Sequence, residues 1–417
     1  MTHTIVVDLG YGDAGKGRVV DLLCEESDVE AVVRFNGGAQ AAHNVVLPDG
    51  RHHTFAQFGA GTFRGVPTHL SRFVVVDPLA LAAEAAHLVT VGVPDPFALL
   101  TIDEDALLAT PWHRAANRVR ERRRGADRHG SCGLGVGETA AYALAHPDAP
   151  RVGDVRDPGR LRQRLVAVRD RLSEELGALP VPDVDAVLTV ITAFRDAVRI
   201  VDRGYLPDVL RRGRCVFEGA QGVLLDEWYG WHPHTTWSTT TFANAEALLA
   251  EVGGLAEAEG SSAGAVERLG VVRTYTTRHG AGPLVTEDPS LRLPEPHNGA
   301  GEWQGAFRLG HFDAPAHRYA VEVCGGVDAL AVTHLDVPPS VEICTSYSAI
   351  SHIPVESPGD LQARERLTAA LRRATVGQSH RPSDWVLSIE EALGAPVILG
   401  TDAPSGAPVF HRTAVTA

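Results

Sequence analysis

Short, wholly apolar runs alternate along the chain with longer amphipathic ones. "TIVVDLG" (4–10) has the length of a strand, and "RVVDLLCEE" (18–26), after a glycine-rich turn, spaces Val19, Val20, Leu22 and Leu23 as one face of a helix. The same strand pattern recurs in "AVVRFNGG" (31–38) and in "SRFVVVDPLALAAEAAHL" (71–88), where a strand runs straight into an alanine-rich helix. Further strands are predicted in "RCVFEGAQGVLLD", "LGVVRTYTTRHGAGP" and "ALAVTHLDV", and a helix followed by a strand in "DWVLSIEEALGAPVILGTD". From about 155 to 215 the apolar spacing is near 3.6 and the section reads as mainly helical. Two polar stretches, 252–264 and 286–305, read as loops. Alternation of strand and helix predicts an α/β fold with a large, mainly parallel sheet flanked by helices. With no repeat and no low-complexity linker, residues 1–417 are expected to form one elaborate domain.

Composition narrows the function. The formal net charge is −14, which argues against a sequence-independent grip on nucleic acid. The arginine-rich run 118–130 reads as a solvated helix face with Glu121 and Asp127 interspersed. No apolar run approaches the roughly 18 residues of a membrane span, and the first residues enter a strand without a leader pattern, so a cytoplasmic location is expected. Five scattered cysteines without CxxC spacing suit free thiols, and no zinc site is legible.

One residue type is nearly absent. Of 38 basic residues Lys16 is the only lysine, and it ends "GYGDAGK" (10–16), a G-x4-G-K turn directly after the first strand. This P-loop-like spacing points backbone N–H groups at phosphates and brings Gly12, Gly15 and Lys16 to a nucleotide. A compact ammonium enters a crowded anion site where a planar guanidinium does not. The next residue is Gly17, where an ordinary P-loop has a Ser or Thr hydroxyl for magnesium. Asp13, inside the turn, is the candidate carboxylate for that metal.

"GYGDAGKGRVVDLL" resembles the GDEGKGK segment of adenylosuccinate synthetases. In the same order follow "RFNGGAQAAHNVV", "GSCGLGVGETAAYA", "VFEGAQGVLLD", "TYTTRHGAGPLVTE", "VTHLDV" and "VILGTD", over nearly the whole chain. The resemblance implies a GTP-dependent ligase that phosphorylates the 6-oxygen of IMP and lets the amine of aspartate displace the phosphate. By the same resemblance Asp13 is the base for N1–H, His43 the acid or charge stabiliser at the transferred phosphate, and Lys16 neutralises transition-state charge. Magnesium is held by Asp13 and the carbonyl of Ala42. Gln40, Gln221 and Thr236 face the oxo substrate, with Ser131 and Cys132 in its phosphate pocket. For the donor nucleotide the matching positions are Gly17, His334, Asp336 and Thr401, Asp336 accepting from the guanine edge. The family forms homodimers, and small molecules are its partners.

The chain also departs from the family pattern. GGHNAGHT becomes "GGAQAAHN", and the "ARRGL" arginine is replaced by "AHPDAP" (145–150), with Arg151 just beyond. The arginine-rich aspartate loop becomes "GEWQGAFRLGHFD" (301–313), leaving Arg308, with Glu302 adding the wrong charge and Arg278 as a further cation. Two alternatives stay open: a paralogue acting on a modified purine or a different amine, and a nucleotide-binding regulator without catalysis.

Overall fold

The computed structural model describes residues 2–258, 264–296, 298–299, 301–402 and 408–411. Ten strands form one sheet, in the spatial order Pro408–His411, Val397–Thr401, Ala329–Thr333, Ala265–Arg273, Thr2–Asp8, Arg214–Glu218, Val29–Arg34, Thr68–Leu70, Leu100–Asp103 and Arg199–Val201. Every pairing is parallel except that of the edge strand Pro408–His411. Strands buried on both faces carry continuous apolar runs, as Ile5, Val6 and Val7 do in the central strand. Two hydrophobic clusters lie on the two sides, one built around Val19, Val32 and Leu165, the other around Phe35, Phe217 and Trp231.

Because the strands run the same way, the segments after their carboxyl ends gather along one edge. The first strand is central, flanked by Ala265–Arg273 and Arg214–Glu218, so the turn after Asp8 sits between the segments that follow those two. A crevice at such carboxyl ends is where open α/β sheets hold ligands.

The predicted order of strands and helices holds along most of the chain, with three corrections. In "SRFVVVD" only Val75–Val76 is extended, pairing with Leu107–Leu108 outside the main sheet; the sheet takes Thr68–Leu70 instead. Residues 252–258, read as loop, continue the helix Ala243–Ala258, its Ala and Leu content outweighing its polar residues. The remainder of that predicted loop at 259–263 lies outside the described residues. Within 155–215 the helices Pro158–Leu176, Val184–Ala197 and Tyr205–Arg212 frame a sheet-edge strand, Arg199–Val201, too short to show in the pattern. All five cysteines are free thiols. Among the described residues no helix is long and apolar enough to cross a membrane.

Candidate active site

The turn between Asp8 and the helix Lys16–Glu26 is organised from inside by Asp8. Its buried carboxylate accepts N–H bonds from Gly10 (2.8 Å), Gly12 (3.3 Å) and Ala14 (2.9 Å), and pairs with Lys16 Nζ at 2.9 Å. Three N–H groups of the turn are thus spent internally, and the helix start at Lys16 and Gly17 is left to face an anion. Gly12 and Gly15 have φ of 91° and 92°, which a Cβ would strain, and a side chain at Gly15 would also meet Thr333 at 2.9 Å. Gly17 explains the missing hydroxyl. A Cβ there would lie 2.9 Å from His43 Cβ and 3.0 Å from Asn44 O, so the helix packs too closely on the strand His43–Val46 for a serine.

Asp13 has φ of 59°, a strained value for a residue with a Cβ. Its carbonyl accepts from Arg273 Nη1 at 3.0 Å, and its carboxylate lies 3.5 Å from His279 Nε2. Burial raises its carboxyl above the ordinary value, while His279 and Lys16 pull the other way. Gln221 and His334 share the left-handed backbone, with φ of 59° and 58°; three of the four such non-glycine residues among the described ones are therefore candidate site residues.

His43 reaches the same cleft. Its Nδ1 lies 2.5 Å from Glu218 Oε1, and Nε2 is enclosed without a protein partner. Burial pushes the imidazole down to about 4 against the pull of Glu218. The cleft, about 80 Å³, is lined by Asp13, Lys16, Gly17, Ala42, His43, Arg273, Glu295, His334, Thr401 and Asp402. His334 is held by Thr333 Oγ1 at 2.9 Å and by Tyr275 edge-on at 5.4 Å. Asp336 follows two residues later but is exposed and does not line the cleft; Asp402 does. Pattern reading singled out neither Arg273 nor Glu295, which pair with each other and with Tyr275.

A second and larger cavity, about 570 Å³, lies against the other side of the turn. Gln40, Ser131, Cys132, Gln221, Thr236 and Arg278 all line it, together with His279, His234 and Gln304. Gly222 packs so tightly on the turn that a Cβ would sit 2.2 Å from Gly10 O, which sets Gln221 beside Gly12. Ser131 exchanges hydrogen bonds with Asn117, and burial raises the Cys132 thiol. The cleft and the cavity meet at the contact of Asp13 with His279.

The cations expected for a dicarboxylate are otherwise engaged. Arg278 is fully buried, donates to the carbonyls of Ala281 (3.0 Å), Pro283 (3.2 Å) and His234 (3.2 Å), and stacks over Tyr11; burial lowers it to about 10. Arg308 pairs with Glu287 and donates to Gly280 O at 3.0 Å and Gly282 O at 2.8 Å. Arg151 is exposed and donates to Asp105 O, outside the cavity lining. In the arginine-rich run, Arg120 pairs with Glu138 and Glu175 and Arg124 with Glu121. Arg118, Arg122 and Arg128 surround the ring of Trp303 at 5.1–5.9 Å.

The chain is similar to known proteins in sequence and in fold. The sequence profile of adenylosuccinate synthetase matches residues 5–376. Adenylosuccinate synthetase of Gloeobacter violaceus is 34% identical over 375 residues, covering 86% of this chain and 82% of the relative. That of Marinomonas sp. is 32% identical, with 96% of each chain covered. Among solved structures, fully ligated adenylosuccinate synthetase from Plasmodium falciparum has the same fold (TM-score 0.79, 20% identity, 97% and 98% covered). So does cyanophage S-2L succinoaminodeoxyadenylate synthetase bound to dGMP and dATP as an energy donor (TM-score 0.61, 21% identity, 98% and 95% covered). With a family profile across most of its length and relatives at about a third identity over nearly all of it, the chain belongs to the adenylosuccinate synthetase family.

Proposed function

We propose that the protein is a nucleotide-driven C–N ligase: a nucleoside triphosphate in the cleft phosphorylates the 6-oxo group of a purine nucleotide in the cavity, and an amine then displaces phosphate. One observation carries this reading. Asp13 lines the cleft, His279 lines the cavity, and the two side chains lie 3.5 Å apart, so a phosphoryl donor and an oxo acceptor would meet at a carboxylate. Raised by burial, Asp13 is a stronger base for N1–H than an exposed aspartate. Taking that proton makes O6 nucleophilic, and the ester oxygen then leaves as phosphate, which a free 6-oxo group cannot do.

His43 would meet the transferred phosphoryl group with Nε2, while Glu218 fixes Nδ1. Lys16, already buried beside the turn, supplies positive charge at the helix start. Magnesium fits as a mostly hydrated ion, because the Asp13 carboxylate and the Ala42 backbone face the same cleft. Among the described residues no cluster of three His, Cys, Asp or Glu side chains offers a metal cage, which a phosphate-bound magnesium does not need. When bound it would neutralise the phosphates. GTP is the first choice of donor, with Asp402 of the cleft lining as the carboxylate for its base and Asp336 reaching it only from outside that lining; a homodimer in the cytoplasm is the expected form.

Aspartate is the first candidate amine. The engagement of Arg278 and Arg308 with carbonyls and Glu287 favours a second reading, an amine with fewer carboxylates. The test of the ligase itself is Asp13→Asn. It should abolish donor-dependent product formation while donor affinity falls much less, since the amide keeps the turn but accepts no proton. Normal turnover in that variant would remove Asp13 from the mechanism.

A further inference from the structure

Most arginines of the helix Pro111–Arg124 are spent on partners within the chain. Arg114 pairs with Asp77, Arg120 with Glu138 and Glu175, and Arg124 with Glu121, while Arg123 donates to Leu176 O. Arg118 and Arg122, one turn apart on the same face, have no acidic partner among the described residues, and neither has Arg128 just beyond the helix. All three converge on Trp303, their guanidinium carbons 5.4, 5.1 and 5.9 Å from the ring centre. Gly133 holds the indole from another side, since a Cβ there would meet the ring at 2.7 Å.

The cluster is fixed by backbone and left open to solvent. Arg118 Nε donates to Gly133 O at 3.0 Å and Arg128 Nη1 to Glu302 O at 3.4 Å, which leaves their other N–H groups for a ligand. Arg122 is exposed and has no hydrogen-bond partner among the described residues. Asp127 and Glu302, the acids nearest along the chain, are exposed and pair with none of the three. Like charges at i and i+4 oppose each other on a helix, and a ring face offsets a cation only modestly. In a chain of net charge −14, three cations gathered on one indole therefore form an ion cluster that lacks its anion. One carboxylate serves for Arg114 or Arg124 but would leave most of this cluster uncompensated. A phosphate group brings up to two charges and three acceptor oxygens, in a geometry that guanidinium forks match.

We infer that Arg118, Arg122 and Arg128, arrayed on Trp303, form a receptor for a phosphate group at the mouth of the large cavity. None of the four lines the cavity itself, yet both walls of the receptor run into its lining: Cys132 precedes Gly133, and Gln304 follows Trp303. A phosphate bound there ties the segment 301–306 to the helix, and Gln304 with it. The receptor stands independently of the ligase reading. Inorganic phosphate and the phosphate of a nucleotide present the same group, and the experiment separates them.

Inorganic phosphate and, separately, AMP are titrated into the whole protein and followed by calorimetry and tryptophan fluorescence, against chloride controls of matched ionic strength. Phosphate is expected to change the emission in a way that vanishes in Trp303→Phe. Arg122→Gln, which removes no hydrogen bond of the fold, should weaken the affinity read from that signal about tenfold, as loss of one charge-assisted contact does, and Arg122→Lys should recover only part of it. A Trp303 response to inorganic phosphate alone supports the receptor with the free ion as ligand; a response to AMP alone supports it with a phosphate monoester. No Trp303 response to either overturns the inference. Affinity unchanged in Arg122→Gln places the ion elsewhere, at the helix start of Lys16 and Gly17, and overturns it too. An equal response to matched chloride would show general screening and have the same consequence.

Discussion

His43 and Glu218 form a closed pair beneath the cleft, with Nδ1 and Oε1 2.5 Å apart and Glu218 wholly buried. The other carboxylate oxygen accepts from Ala60 N at 2.9 Å. Burial alone would raise the Glu218 carboxyl, but Arg34, His43 and the Ala60 N–H bring it below its ordinary value. The glutamate is therefore ionised, which places the proton of neutral His43 on Nδ1 and turns a bare Nε2 to the cleft.

Two outcomes are expected from that pair. Glu218→Gln should lower kcat by about 10–100-fold with little change in donor KM, as loss of an orienting partner does. A polyanion arriving at Nε2 also pulls His43 up from about 4, so donor binding near pH 6 should take up a proton. Calorimetry in buffers of different ionisation heat measures it, and uptake that persists in His43→Asn would assign the proton elsewhere.

Gly17→Ser restores the hydroxyl of an ordinary P-loop and should nonetheless harm the protein. The new Cβ meets His43 and Asn44 at 2.9–3.0 Å, an overpacking worth about 1–3 kcal/mol. A lower denaturation midpoint together with impaired turnover is expected; a stable and more active variant would show that the helix can shift.

Removing Asp8 strands Lys16. Asp8→Asn leaves a buried ammonium without its counter-ion and should cost about 3–5 kcal/mol in chemical denaturation. Lys16→Arg should keep the charge yet lose about 100-fold in kcat, because the buried site has no space for a guanidinium.

Arg308 is a brace in this structure, so Arg308→Ala should disturb the turn 280–282 for every amine alike. The measurement compares kcat/KM for aspartate and for neutral amino acids in both proteins. A loss confined to aspartate would instead make Arg308 its carboxylate receptor.

Asp313 tests the fold rather than the chemistry. Burial pushes its carboxyl up to about 6, above an unfolded value near 4, although Tyr347 Oη lies 2.5 Å away and Ala316 N donates to it. A raised carboxyl contributes stability below the unfolded value and loses it as pH rises through 6, by on the order of 2 kcal/mol. Relative to wild type, Asp313→Asn should therefore gain stability between pH 4 and pH 8 in denaturant titrations.

Most of the sheet was legible because parallel strands buried on both faces are written as unbroken apolar runs, as in "TIVVD" and "CVF". Edge strands such as Arg199–Val201 carry too little of that signal. Glycine-rich segments marked the turn and the two glutamines for a similar reason, since close backbone approach leaves a compositional trace. Asp8, Glu218, Arg273 and His279 left none. Each acts through a partner distant in sequence or hidden inside a turn, and an acidic residue at a strand end reads as ordinary until the fold brings Lys16 or His43 to it.

The segment 301–306 is anchored through Trp303, whose ring lies among Arg118, Arg122 and Arg128, and through Glu302 O, which accepts from Arg128. Gly301 and Gly305 bond each other, Ala306 O accepts from Gly280 N at 2.9 Å, and the strands Thr276–His279 and Phe307–Gly310 close its base. Asp13, His43 and Lys16 all belong to other segments. On the ligase reading proposed above, substitutions in this loop, such as at Gln304 in the cavity lining, would alter the amine admitted while leaving Asp13, His43 and Lys16 in place, so the loop would serve as an exchangeable selector beside a fixed centre.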